Sequence, residues 1–193
     1  MTNRGIRIAI LGPESTGKTI LAQSLASYYQ SDWIKEIARG YIEDLGREYT
    51  YQDVEKIAKL SVEAYEKVKN DPKPIFFDTE LIITKIWFEV VFGEIPEMMD
   101  HWMKEMEFDA YLLCLYDLPW QPDPVRENGG EMRKLLFYKY KTEIEKLKKP
   151  YHIVKGSGKE RIKNAVNSLS ELTTLPGWSE TRWQDCNPED LRQ

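Results

Sequence analysis

Four residues near the start of the chain, Gly12, Gly17, Lys18 and Thr19, satisfy the spacing G-x-x-x-x-G-K-[ST] within the stretch IAILGPESTGKTILAQSL. The spacing is chemical. Glycines let consecutive backbone N–H groups turn inward around an anion, and a helix beginning at the same place adds the positive end of its dipole. A lysine at the second-last place of the motif reaches β- and γ-phosphates as a point charge, and the hydroxyl after it suits Mg²⁺. Gly12, Glu14, Ser15, Thr16, Gly17, Lys18, Thr19 and Ile20 are therefore the candidate cradle for ATP, with Thr19 as a candidate metal ligand.

Carboxylates must hold the metal and handle an acceptor. The run PIFFDTE ends an apolar segment in Asp78, where an aspartate can bind Mg²⁺ directly or through water. Asp78 or Thr79 can equally cap a helix starting near Leu81. Glu36 and Arg39 follow a second apolar run, and a proline-stiffened stretch, YDLPWQPDPVRENGG, carries Trp120, Asp123 and Arg126 ahead of Arg133. A carboxylate at the C-terminal end of a strand can orient or deprotonate a hydroxyl beside the γ-phosphate. A closing loop with arginines offsets charge on the transferring group and keeps water out. Glu36 and Arg39, about one helical turn apart, can also form a surface ion pair, and Arg126 and Arg133 can be solvated. Of Glu36 and Asp78, one is expected to orient the acceptor and the other to tend the metal, Glu36 being the favoured base.

Motifs for other nucleotide chemistries are missing. N-K-x-D for guanine, D-x-x-G after the metal strand, and the Ser-Gly-Gly-Gln signature of transporter ATPases do not occur. A small-molecule kinase, a regulatory or switch ATPase without a small acceptor, and a nucleotide-binding module without catalysis remain as readings.

The elements that position these residues follow from periodicity. Short apolar runs at 6–11, 74–78, 110–116 and 151–155, with a fifth in DWIKEIA (32–38), alternate with segments of helical period, the pattern of parallel strands joined by crossover helices. Val54, Ile57, Ala58, Ser61, Ala64, Tyr65 and Val68 make one helical stripe, opened by a capping box at Thr50 and Asp53 and stopped by NDPKP. Helices are expected over 81–92, from Pro96 onward, and over 131–149, where Met132, Leu136, Tyr140, Ile144 and Leu147 share a side. That last helix is strongly basic, so it is either a solvated face or a phosphate-facing one. The polar segment from Leu175 carries Trp178 and Trp183 and reads as a tail, giving a domain over 1–174 and a tail over 175–193.

At 193 residues, 41% apolar and 31% charged, the chain suits one globular domain. The net charge of −5 argues against a dedicated nucleic-acid binder. Two cysteines, Cys114 and Cys186, make no disulfide framework and suit a reduced cytoplasm. The first apolar run is too short for a signal peptide, and LIITKIWFEVVFG, with Lys85 and Glu89 inside it, is too short to span a bilayer. Neither nucleic acid nor membrane is expected as a partner, and the oligomeric state is left open.

Together, GPESTGKT, KEIARGYIE, FFDTELIITK and WQPDPVRE resemble, in order, the ribosylnicotinamide kinase domain of NadR-type proteins, a small AAA-like ATPase family, over residues 6–169. The resemblance implies a P-loop NTPase three-layer α/β sandwich with a parallel five-stranded sheet of the nucleoside and nucleotide kinase type. It implies transfer of the ATP γ-phosphate to the 5′-hydroxyl of nicotinamide riboside. On that likeness Gly12 to Thr19 hold ATP and Mg²⁺, Asp78 is the metal-strand aspartate, Glu36 and Arg39 face the nucleoside, and Asp123, Arg126 and Arg133 belong to the lid. The loop KGSGKERIKNA would contact adenine through the backbone of Gly156 and Ser157. NadR proteins carry a nucleotidyltransferase domain ahead of the kinase part, whereas this sequence starts a few residues before the first strand. The expectation therefore extends to neither dinucleotide synthesis nor repression.

Overall fold

A computed structural model describes residues 4–172. Strand β1 (Arg7–Leu11) is buried at every residue because both faces of the sheet are covered. It is the centre of five parallel strands with β2 (Asp32–Ile34), β3 (Ile75–Asp78), β4 (Ala110–Cys114) and β5 (Tyr151–Val154), in the order β2-β3-β1-β4-β5. Alternation along the strands sends Ile8, Ile10, Phe76, Leu112 and Cys114 into one core layer, and Ala9, Leu11, Phe77, Tyr111 and Leu113 into the other.

Helices α1 (Lys18–Tyr28) and α7 (Gly158–Leu172) cover the first layer. The second is covered by α3 (Tyr51–Val68), α4 (Leu81–Trp87), α5 (Met99–Glu105) and α6 (Glu131–Leu147), while α2 (Ile37–Leu45) leans on α3. A π-helical turn, Phe88–Phe92, prolongs α4, so the apolar run 81–92 is helical throughout, as expected. The fifth strand in DWIKEIA is present but short, and its second half turns into α2.

Local chemistry fixes the ends. Thr50 Oγ1 accepts from Asp53 N–H while Asp53 Oδ2 accepts from Thr50 N–H at 2.8 Å, the capping box read from the sequence. At the far end of α3 the buried Arg7 guanidinium donates to the carbonyls of Val68, Asp71 (2.7 Å) and Lys73 (2.9 Å), satisfying acceptors a helix end leaves free.

One expectation is corrected. KGSGKERIKNA is not a loop beyond its first residues: α7 starts at Gly158, because Arg161, Ala165 and Leu169 recur at helical spacing and are buried. Beyond Arg133, which reaches the glycine loop from the first turn, α6 carries its basic residues on an ion-paired surface, in line with the solvated face, one of the two readings of this helix. Lys139 pairs with Glu89 (2.8 Å), Lys141 with Glu145 (2.7 Å) and Lys146 with Glu143. Among the described residues no helix is long and apolar enough to cross a membrane. Trp178, Trp183, Cys186 and the tail boundary lie outside the described residues.

Candidate active site

The C-terminal ends of β1, β3 and β4 meet beneath the glycine loop, where open parallel sheets place their ligands. Gly12 must be glycine here: its φ is 148°, and a Cβ would stand 2.8 Å from the Cys114 carbonyl oxygen. Gly17, at φ 74°, turns the chain into α1. Thr16 is fully buried and donates to Pro13 O at 2.8 Å, and Lys18 Nζ reaches the same carbonyl at 3.1 Å.

Arg133 holds the loop from outside. Its guanidinium donates to the carbonyls of Glu14 (3.1 Å), Ser15 (3.4 Å) and Leu118 (2.9 Å). The C=O and N–H of a trans peptide point in opposite directions, so the N–H groups of Ser15 and Thr16 face away from Arg133. Expected among the lid arginines that meet the transferring group, Arg133 is instead buried against the loop's carbonyls and does not line the cavity.

Asp78 closes β3 directly behind Thr19. Its Oδ2 accepts from Thr19 Oγ1 at 2.6 Å, and its Oδ1 is buried with no partner. Burial pushes this carboxyl above its usual range, while Lys18 and the Thr19 hydroxyl pull the other way. Capping of α4 falls to neither Asp78 nor Thr79: Glu80 is the cap, its Oε1 accepting from Ile82 N–H at 3.0 Å. An orphaned carboxylate oxygen beside a hydroxyl fits a hard divalent cation that takes its remaining oxygens from phosphate and water. Mg²⁺ fits Thr19 and Asp78 on that ground.

Glu36 stands at the N-terminus of α2 without capping it, makes no side-chain hydrogen bond among the described residues, and lines the cavity. Desolvation raises its carboxyl above the ordinary value, opposed by Lys18. The surface pair between Glu36 and Arg39 is not formed. Arg39 pairs with Glu43 (2.9 Å) and with Asp123 Oδ2 (3.0 Å), and Arg126 Nε meets the same Asp123 oxygen at 3.0 Å.

The cavity, about 750 Å³, runs from the loop past Glu36, Arg39 and Arg126 to an apolar wall. Ile42, Tyr49, Ile83, Trp87, Val90 and Phe92 form that wall, and Tyr49 meets Trp87 edge-on at 4.9 Å. Gly12, Glu14 to Ile20, Glu36, Arg39 and Arg126 are thus brought together. Trp120 is not: its indole donates to Glu14 Oε2 at 3.3 Å and packs against Gly129, outside the lining. Asp123 stands behind its two arginines rather than in the lining. Gly156 and Ser157 lie outside the cavity, and the Gly156 N–H is taken by Asp117 Oδ2 at 2.7 Å.

Sequence reasoning assigned no role to Trp87 and missed Tyr49, Arg47, Glu127 and Asn128 in the lining. The signal for the wall was present in LIITKIWFEVVF, which is apolar on more sides than packing against one layer requires.

A protein-family profile described as an AAA domain matches residues 7–161. The trifunctional NAD biosynthesis/regulator protein NadR of Salmonella typhimurium is 28% identical over 144 residues, 72% of this chain and 35% of that protein. The chain spans about a third of the length of the curated relative it matches. Two crystal structures of NadR, one in complex with NR and one with NAD and AMP-PNP, superpose with TM-scores of 0.68 and 0.67 at 19% and 20% identity, covering 89% of this chain and 50% of each NadR chain. Deoxyadenosine kinase from M. mycoides superposes at TM-score 0.62 and 16% identity, covering 86% of this chain and 100% of that one. The fold is that of the nucleoside and nucleotide kinases, and the chain belongs to the AAA_28 family of AAA domains.

Proposed function

We propose that the protein is an ATP- and Mg²⁺-dependent kinase of a nucleoside, and that its acceptor is nicotinamide riboside, phosphorylated on the 5′-hydroxyl to nicotinamide mononucleotide. One observation carries the reading: the phosphate-binding loop opens into a roomy chamber whose far wall is aromatic and apolar and whose near side holds an unbonded carboxylate, Glu36. A switch ATPase has no use for such a chamber. NadR, which shares the fold, is known in complex with NR and with AMP-PNP, and a NadR protein is among this chain's sequence relatives.

In this reading the loop amides and Lys18 hold the triphosphate, and the lid keeps Arg126 beside it. Tyr49 and Trp87 take the base, leaving the ribose hydroxyl toward Glu36. Glu36 accepts the hydroxyl proton as the oxygen attacks the γ-phosphorus in line, and ADP leaves. Its raised pKa makes it a better proton acceptor than an exposed glutamate. Thr19 and Asp78 would hold Mg²⁺, which would supply positive charge to the phosphate oxygens. Arg39 orders the near wall by tying α2 to Asp123.

The test is incubation of the protein with ATP, Mg²⁺ and a mixed nucleoside pool, read by mass spectrometry. Nicotinamide riboside gaining one phosphoryl group supports the proposal. ATP consumed with no nucleoside phosphorylated overturns it in favour of a regulatory ATPase.

A further inference from the structure

Glu14 lies inside the phosphate-binding loop but at none of the motif's fixed positions, and a carboxylate there repels a triphosphate. Its side chain is engaged on four sides by one segment, 118–130. Oε1 accepts from Glu127 N–H (3.1 Å) and from Asn128 Nδ2 (3.0 Å). Oε2 accepts from Asn128 N–H (3.0 Å) and from Trp120 Nε1 (3.3 Å). Four donors on a single carboxylate offset its negative charge and fix its orientation. The next loop residue does the same on a smaller scale: Ser15 Oγ donates to Gln121 O (3.2 Å) and accepts from Gln121 N–H (3.0 Å).

That segment also carries the guanidinium that reaches the cavity. Arg126 is suspended from Gln121 O at 2.7 Å and from Asp123 at 3.0 Å, both within the stretch that Glu14 and Ser15 fasten. The place of Arg126 relative to the loop is therefore set in part by the loop side chains Glu14 and Ser15, alongside the ties that Arg39 makes to Asp123 and Tyr49 to Glu127.

We infer that Glu14 is a positioning residue, a latch that ties the lid segment 118–130 to the phosphate loop so that Arg126 stays beside the transferring group and water stays out. The consequence for transfer rests on the kinase reading above; the latch itself rests on the hydrogen bonds alone. With the latch weakened, ATP still binds, but more of it is lost to water per acceptor phosphorylated.

Glu14→Gln tests this with little change of shape. Whichever way the amide turns, either Glu127 N–H or Asn128 N–H meets an NH₂ in place of an oxygen, and backbone donors cannot flip to accommodate it. Hydrogen exchange by mass spectrometry should show peptides from 118–130 exchanging about tenfold faster than in the wild type, with α3 peptides unchanged. The ratio of nucleoside phosphorylated to ATP consumed should fall severalfold. Ser15→Ala, which removes only the Gln121 pair, should shift both readouts the same way by less.

Unchanged exchange over 118–130 in Glu14→Gln overturns the latch. Faster exchange with an unchanged ratio overturns its positioning role. A wild-type protein that consumes ATP and phosphorylates no nucleoside strikes the kinase reading instead, and the latch is then decided by the exchange rates alone.

Discussion

Thr19 Oγ1 donates to Asp78 Oδ2 at 2.6 Å, and the second oxygen of Asp78 is buried without a partner. A half-satisfied carboxylate in a dry place costs stability, and such sites persist where the free valence has a use. Asp78→Asn should lower kcat by about 100-fold or more and remove most of the response to added Mg²⁺. Burial raises the Asp78 pKa, so the charged form is the destabilised one, and the same variant should match or exceed the wild-type Tm without ligand. Kinetics across a Mg²⁺ titration, paired with thermal melts, check both halves.

Glu36 has a carboxyl raised above 4.5 by desolvation. As a base it works only when ionised, so kcat should rise with pH along an acid limb displaced above that value. Glu36→Gln should flatten the limb and lower kcat by roughly 100-fold to 10,000-fold. A pH profile of the variant that keeps the wild-type limb would assign the ionisation to another group.

Trp87, on the chamber wall beside Tyr49, should govern the acceptor and not ATP. Trp87→Leu keeps an apolar side chain and removes the ring face. Nucleoside KM should rise about tenfold while the KM for ATP stays within about twofold, since stacking is worth on the order of 1 kcal/mol. Steady-state kinetics with each substrate varied in turn separate the two.

Glu80 is buried, and burial pushes its carboxyl up to about 8. The folded protein therefore keeps this proton through a range where the unfolded chain, near 4.5, has released it. Stability from this group is present below the unfolded value and lost as pH rises toward the folded one. Glu80→Gln keeps an oxygen for Ile82 N–H and cannot ionise. Its Tm should decline less than that of the wild type between pH 5 and 8, with a gain of about 2–4 °C at pH 8 for each kcal/mol relieved. Thermal melts across that range check the prediction.

The loop and the sheet beneath it were legible because short-range rules govern them. The spacing from Gly12 to Thr19, the apolar runs ending at Leu11 and Asp78, and the capping box at Thr50 and Asp53 each act over a few residues. The lid was legible only as a proline-stiffened arginine loop. Arg126 and Arg133 are equivalent by charge, and only the packing sends Arg126 to the cavity while Arg133 takes the carbonyls of Glu14 and Ser15. Trp120 and Trp87 likewise differ by what folds against them: Glu14 and Gly129 for one, an open chamber for the other. Tyr49 was missed because the turn after α2 carries no periodic signal, and it reaches the site only because Arg47 and Thr50 anchor that turn on Asp53.

The central claim is that this loop delivers a phosphoryl group to an alcohol across the chamber. Incubation with γ-labelled ATP, Mg²⁺ and nicotinamide riboside, followed by separation of the products, tests it most directly, with Lys18→Ala run in parallel. The label should appear in the mononucleotide with the wild type and fall by about 100-fold or more in the variant, with nucleoside KM little changed. Label recovered only as inorganic phosphate, or equal transfer by Lys18→Ala, would contradict the account.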